Sequence, residues 1–283
     1  MNASIAPVPP HADHRPVRIG VFDSGVGGLS VLRDLRLQLP QAEFVYLADS
    51  GHAPYGERSD AHVLERSRRI TRHLLHTEAC QGVVIACNTA TALAVLQLRA
   101  DWPGVPLVGV EPGVKPAVAL SVNQRIGVMA TTATLRHARF HALVVAHAAT
   151  AQVIAQPCPG LALAIEQGDL QAQEVQRLLV AYCGQLRDKK VDTVVLGCTH
   201  YAFVHDQIAA LLGSEVRLID TAEAVARQAA RLFGAVTGPV AVEGAVPCAA
   251  PTIRLQTTGT QALLRDIAMR WLQLDLPVTS MSL

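Results

Sequence analysis

The tetrapeptide Arg-Ile-Gly-Val occurs twice, at residues 18–21 and 125–128, and each copy opens the same series of elements. The first series of apolar runs is RIGVFD (18–23), FVYLAD (44–49), GVVIAC (82–87) and PLVGVE (106–111). The second is RIGVMA (125–130), TAQVIA (150–155), DTVVLGC (192–198) and VRLID (216–220). Amphipathic stretches such as 59–79 and 90–101 fill the gaps, so strand and helix alternate in the rhythm of a parallel sheet. Arg18 corresponds to Arg125 at a spacing of 107, and Cys87 to Cys198 and Leu107 to Leu218 at a spacing of 111. Any two α/β stretches share apolar strands. Here strand order, the Arg-Ile-Gly-Val start and a strand-ending cysteine recur together, which predicts a duplication.

The predicted fold is therefore α/β, with two similar doubly wound parallel-sheet domains related by a pseudo-two-fold axis. A leader at 1–17 precedes a first domain of 18–112 plus 221–283 and a second of 113–220. From 221 on, the sequence shows a helical pattern over 221–233 and the amphipathic run TQALLRDIAMRWL, expected to fold back onto the first domain. A length of 283 residues suits two domains. Half the residues are apolar and only 4% aromatic, so the core is built from Val, Leu, Ile and Ala. In open α/β sheets ligands bind beyond the carboxyl ends of the strands, which places the expected active site in the interdomain cleft.

A formal net charge of +1 offers no basic field for nucleic acid or an anionic membrane, so the expected partner is a small molecule. The opening MNASIAPVPPHADHRPV lacks the basic start and unbroken apolar stretch of a secretory signal. No apolar run approaches the roughly 20 residues of a membrane-spanning helix, and the expected location is the cytoplasm. Six cysteines in such a length are no disulfide scaffold, and the cytosol would keep them reduced.

Two of them carry the chemistry. CNTA (87–90) and CTHYA (198–202) each place a thiol at a strand-to-helix turn, followed by hydroxyl, amide or imidazole groups. One such cysteine would pass as core filling. Two at matched positions of a repeat point to function, with helix N-termini expected to lower both thiol pKa values from about 8.5. His200 could polarise Cys198. Asp23 could pair with an ammonium or orient a base, and Asp23 and Ser24 could equally cap a helix. The glycines of SGVGG would let backbone amides approach a ligand carboxylate, but they lack the dinucleotide fingerprint. APYG (53–56) is a turn that lands on the ligand rim. Thr131, Thr132 and Thr134 on the matching rim could bind a carboxylate or cap the next helix. Glu166 could approach His200 or be an ordinary helix carboxylate; spacing alone favours the latter. Three lysines leave few candidates for a pyridoxal Schiff base, and no spacing matches a metal-ligand set, so no cofactor is expected.

The segments IGVFDSGVGGLSVL, YLAD before PYGER, VVIACNTATA, PLVGVEPGVKPA, IGVMATTATL, CPGLALAIE and VVLGCTHYAF together resemble the glutamate racemases of the aspartate/glutamate racemase superfamily. The resemblance implies a cofactor-independent isomerase that interconverts L- and D-glutamate and supplies D-glutamate for peptidoglycan. It implies Cys87 and Cys198 as catalytic acid/bases, tuned by Asp23 and His200. It places Asp23, Ser24, Tyr55, Gly56, Asn88, Thr89, Thr199 and His200 around the substrate, with Thr131 and Glu166 in support, and implies a homodimer. ADSGHAPYGER departs from relatives that carry a threonine and an alanine-arginine pair before PYG. The rival readings are an aspartate racemase, a non-catalytic small-molecule binding protein, and a thiol redox protein, the last weakened by the lack of CxxC.

Overall fold

The computed structural model describes residues 16–148, 150–237 and 252–283. The first series forms strands β1 (Arg18–Asp23), β2 (Glu43–Ala48), β3 (Gly82–Ile85) and β4 (Leu107–Gly109) with helices α1 (Leu29–Gln38), α2 (Asp60–Arg72) and α3 (Asn88–Asp101). α4 (Val114–Leu120) leads into the second series: β5 (Arg125–Ala130), β6 (Gln152–Pro157), β7 (Thr193–Leu196) and β8 (Arg217–Ile219). Its helices are α5 (Thr132–Arg136), α6 (Ala138–His147), α7 (Leu161–Glu166), α8 (Gln173–Asp188) and α9 (His205–Leu212). The chain then adds α10 (Ala222–Thr237), β9 (Ile253–Thr257), α11 (Gln261–Leu272) and β10 (Val278–Ser280).

All described strand pairs are parallel, in two sheets ordered β10-β9-β2-β1-β3-β4 and β6-β5-β7-β8. The order β2-β1-β3-β4 repeats as β6-β5-β7-β8, and the register repeats with it: Arg18 faces Glu43 as Arg125 faces Gln152. The glycine of each Arg-Ile-Gly-Val has the same use. A Cβ on Gly20 would sit 3.0 Å from Leu74, and one on Gly127 2.8 Å from Leu186, each on the segment that leads into the third strand of its half. Glycine lets that segment lie directly on the sheet.

Both faces of each sheet are covered. Phe22, Val45, Leu47, Val83 and Ile85 pack in one cluster with residues of α2 and α3. Ile126, Val128, Ala130 and Val195 pack in another with residues of α4, α5 and α6. The remaining faces share one continuous cluster, in which Val21, Tyr46 and Val84 of the first sheet join Met129, Val194 and Leu196 of the second.

Three details differ from the sequence reading. The tail contains two strands as well as helices: β9 pairs with β2, and β10 with β9. Both are short; β10 forms the sheet edge and β9 lies between it and β2, with polar residues such as Arg254 and Gln256 diluting the apolar signal of β9. The third strands stop at Ile85 and Leu196, because each cysteine already belongs to the turn beyond. Of the expected leader, residues 1–15 lie outside the described residues, while Val17 is buried and its carbonyl accepts from the Glu43 amide at 2.9 Å. Cys248 also lies outside them. No helix among the described residues is long and apolar enough to cross a membrane.

Candidate active site

Parallel strands send every loop that follows them to one edge, so the ends of β1 and β3 bring Asp23 and Cys87 together, and those of β5 and β7 bring Thr131 and Cys198. The two edges meet. Cys87 caps α3, its sulfur accepting from the Ala90 amide at 3.4 Å and lying 3.8 Å from Ser24 Oγ. Asp23 is fully buried. Its Oδ2 accepts from the Gly28 amide at 2.6 Å and, across the interface, from Thr199 Oγ1 at 3.2 Å. Its Oδ1 has no partner among the described residues.

Cys198 precedes a 3-10 turn, Thr199–Val204, that presents His200. His200 Nδ1 lies 3.9 Å from the Cys198 sulfur, and Nε2 lies 2.6 Å from Glu166 Oε2. Glu166 is also buried and accepts from the Val26 amide at 2.9 Å and from Ser50 Oγ at 2.7 Å, both in the first half. It is therefore not an ordinary helix carboxylate, contrary to what its spacing favours. It holds the histidine and ties the halves together.

The Ser24–Gly28 loop is wedged between these groups, which explains its glycines. A Cβ on Gly25 would lie 2.1 Å from Glu166 Oε2, and one on Gly27 2.4 Å from His200 Nδ1. The expected approach of loop amides to a ligand is corrected in part, because the Val26 and Gly28 amides already serve Glu166 and Asp23.

On the other rim Thr131 does two things at once. It caps α5 by accepting from the Thr134 amide at 3.2 Å, and its hydroxyl lies 2.9 Å from those of both Thr89 and Thr134. Gly56 packs so closely that a Cβ there would be 2.6 Å from Thr131 Cβ. The Tyr55 hydroxyl donates to Asp49 Oδ2 at 2.6 Å, so it is engaged within the protein. Asn88 is buried, its Oδ1 lacks a partner among the described residues, and it lines a narrow pocket with Cys198 and Thr199. Sequence reasoning missed Asp49 and Ser50 as parts of these networks, and Arg66, whose Nη2 donates to Asp49 Oδ1 at 2.7 Å. Asp49 had a signal, since it ends the second run as Asp23 ends the first.

Burial pushes the Cys87 thiol well above its usual range, and the Asp23 charge adds to the rise; the Ala90 amide opposes it too weakly. The expected lowering by a helix terminus is overturned there, because desolvation of a thiolate outweighs one amide and a dipole. Cys198 has only a 3-10 turn behind it, and its side chain makes no capping bond. Burial also raises the Asp23 carboxyl, while the nearby His200 works against the rise. For His200, burial disfavours the imidazolium, but the contacts to Cys198 and Glu166 prevail and hold its pKa well above the usual imidazole value. The described cysteines are all free, and no cluster of three or more His, Cys, Asp or Glu among the described residues could hold a metal ion.

A profile described as Asp/Glu/Hydantoin racemase matches residues 28–229. The chain belongs to the Asp/Glu/Hydantoin racemase family. Cys87, Cys198, Glu166 and His200 fall inside the stretch matched to this racemase family, whereas Asp23 and Ser24 lie just ahead of it. The chain is 50% identical over 234 residues to a glutamate racemase of Ectopseudomonas mendocina, covering 83% of this chain and 84% of that relative. Among solved structures, a glutamate racemase of Bacillus anthracis superposes with a TM-score of 0.82 at 29% identity, covering 95% of this chain and 99% of that one. A glutamate racemase of Francisella tularensis, solved with D-glutamate, gives 0.78 at 26% identity, covering 95% and 98%.

Proposed function

We propose that this member of the racemase family is a cofactor-independent glutamate racemase working by two-thiol 1,1-proton transfer. One cysteine, as thiolate, takes the Cα proton of glutamate; the other, as thiol, gives a proton to the opposite face, and the roles exchange in the reverse direction. A reversible inversion needs one base and one acid of similar strength on each side, which two thiols supply. The observation that carries the reading is the pairing: each thiol follows the third strand of its half, Asp23 acts on Cys87, and the His200–Glu166 pair lies beside Cys198.

The unpartnered Asp23 Oδ1 is suited to the substrate ammonium, and the Asn88 side chain, Thr89 and the Tyr55–Gly56 backbone to its carboxylates. An ammonium beside Asp23 would offset the negative charge that raises Cys87 and so ease formation of the thiolate. His200, whose imidazolium form is favoured by its contacts to Cys198 and Glu166, would stabilise a Cys198 thiolate. Donors to the α-carboxylate in a water-poor site would stabilise the carbanion.

In this reading the active site lies between domains 18–112 plus 221–283 and 113–220, related by a pseudo-two-fold axis. The enzyme is a cytoplasmic homodimer whose D-glutamate enters peptidoglycan. Light scattering on the purified protein tests the dimer.

Replacing Cys87 or Cys198 by alanine is expected to abolish racemisation from both enantiomers. Replacement by serine should leave α-deuterium exchange from only one of them in D2O. Wild-type turnover in either alanine variant would refute the two-base scheme. Parallel assays with aspartate separate the two racemase readings, and saturable binding without exchange would mark a binding protein.

A further inference from the structure

Between β2 and α2 the rim carries the Tyr55–Gly56 turn on only two short 3-10 turns, Ser50–His52 and Tyr55–Glu57. With no ladder of its own, such a segment takes its position from side chains. The anchor is Asp49, fully buried and directly before it. Asp49 Oδ2 accepts from the Tyr55 hydroxyl at 2.6 Å and from Arg66 Nε at 2.9 Å. Asp49 Oδ1 accepts from Arg66 Nη2 at 2.7 Å and from Thr258 Oγ1 at 2.8 Å, and Thr258 in turn accepts from the Gly51 amide at 3.1 Å.

Arg66 is the counterpart of this charge. It is 4% exposed on α2, and its remaining nitrogen, Nη1, donates to the backbone carbonyl of Leu283, beyond β10. One guanidinium thus joins α2, the rim anchor and the segment after the outermost strand. The second sheet has no counterpart of β9 or β10 among the described residues, so this connection acts on one side of the site only. Tyr55 packs in the same apolar cluster as Cys87, and Gly56 touches Thr131. A shift of the turn would therefore reach both rims. Two parallel bonds from one planar group are a geometry that lysine cannot reproduce.

We propose that Arg66 is a positioning residue of the racemase site and that residues 278–283 brace it, so that Asp49 holds the Tyr55–Gly56 turn in register with the substrate. The proposal rests on the racemase reading above.

The test compares racemisation by the wild type, Arg66→Gln, Arg66→Lys, Tyr55→Phe, the double variant Arg66→Gln/Tyr55→Phe, and a chain lacking residues 278–283, with rates normalised to folded protein. Arg66→Gln is expected to raise KM for both glutamate enantiomers by about tenfold, with a much smaller change in kcat, as fits a lost positioning contact. Arg66→Lys should recover less than half of the lost kcat/KM, and the deletion should raise KM in the same direction by about threefold. In the double variant the loss should be no greater than the larger single loss, because both act through Asp49. A purely structural role would lower the melting temperature and leave KM of the folded fraction unchanged. Unchanged KM in the folded variants, or additive losses in the cycle, overturns the proposal. If Arg66→Gln does not fold, the Lys variant and the deletion carry the same readout. An inactive wild type would instead overturn the racemase reading, and the proposal with it.

Discussion

At the scale of single residues, the close approaches around the Ser24–Gly28 loop set the tolerance of the site. Gly27→Ala would place a methyl 2.4 Å from His200 Nδ1 and 2.7 Å from Thr199 Oγ1, so loop or histidine must move. Racemisation assays should show kcat/KM down by about 100-fold, the scale expected when a reacting group is displaced by about 1 Å. Glu166→Gln removes the carboxylate 2.6 Å from His200 Nε2, which together with Cys198 raises the imidazole pKa. A folded-state pKa raised above the unfolded value contributes stability that is full below the unfolded value, about 6.5, and is lost as pH rises through the folded one. Thermal unfolding of wild type and variant should therefore differ most near pH 6 and converge partly above the raised pKa of His200. A pH-independent residue should remain from the Val26 and Ser50 donors. The thiols and the histidine were legible because their types and spacing announce chemistry. Glu166 was not legible from spacing, since only folding shows that its carboxylate reaches His200 and two groups across the interface.

At the scale of elements, connections are held by a few saturated carboxylates. Asp192, just before β7, accepts from the Val122 amide at 2.7 Å, the Asn123 amide at 2.6 Å, Ser121 Oγ at 2.5 Å and Thr193 Oγ1 at 3.0 Å. Burial pushes its carboxyl up, but these donors together hold it below the usual range. A depressed pKa contributes stability that is present above the unfolded value, about 3.9, and is lost as pH falls through the folded one. Asp192→Asn should cost about 1 kcal/mol at neutral pH, and the difference should vanish in acid, as urea titrations at both pH values would reveal. Thr134→Val removes one hydroxyl from the cluster that bridges Thr89 and Thr131. It should raise KM more than it lowers the melting temperature. Strands buried on both faces were readable as apolar runs, whereas β9 and β10 were not, because both are short, polar residues interrupt β9, and the edge strand β10 needs few apolar residues.

At the scale of the whole molecule, the two sheets are welded by the cluster that runs from Val21 and Val84 to Met129 and Leu196. Unfolding one half would expose that surface on the other, so urea denaturation should be a single transition. Tryptophan fluorescence, which reports Trp102 in the first half and Trp271 where it packs on Phe203 at 4.4 Å between ring centroids, should coincide with far-UV circular dichroism, which reports both halves. Leu196→Ala should destabilise the entire chain by about 2–5 kcal/mol without splitting the transition. The sequence by itself determined the duplicated α/β order and the location of both thiols, because apolar periodicity and repeated motifs are local properties that need no partner to be read. Only the tertiary structure decided what those thiols experience. Burial raises Cys87 where a helix terminus alone would lower it, and Glu166, Asp49 and Arg66 acquire their roles from residues 17 to 217 positions away. Desolvation and long-range hydrogen bonds depend on which surfaces meet, and that is settled when the carboxyl edges of the two sheets close on each other.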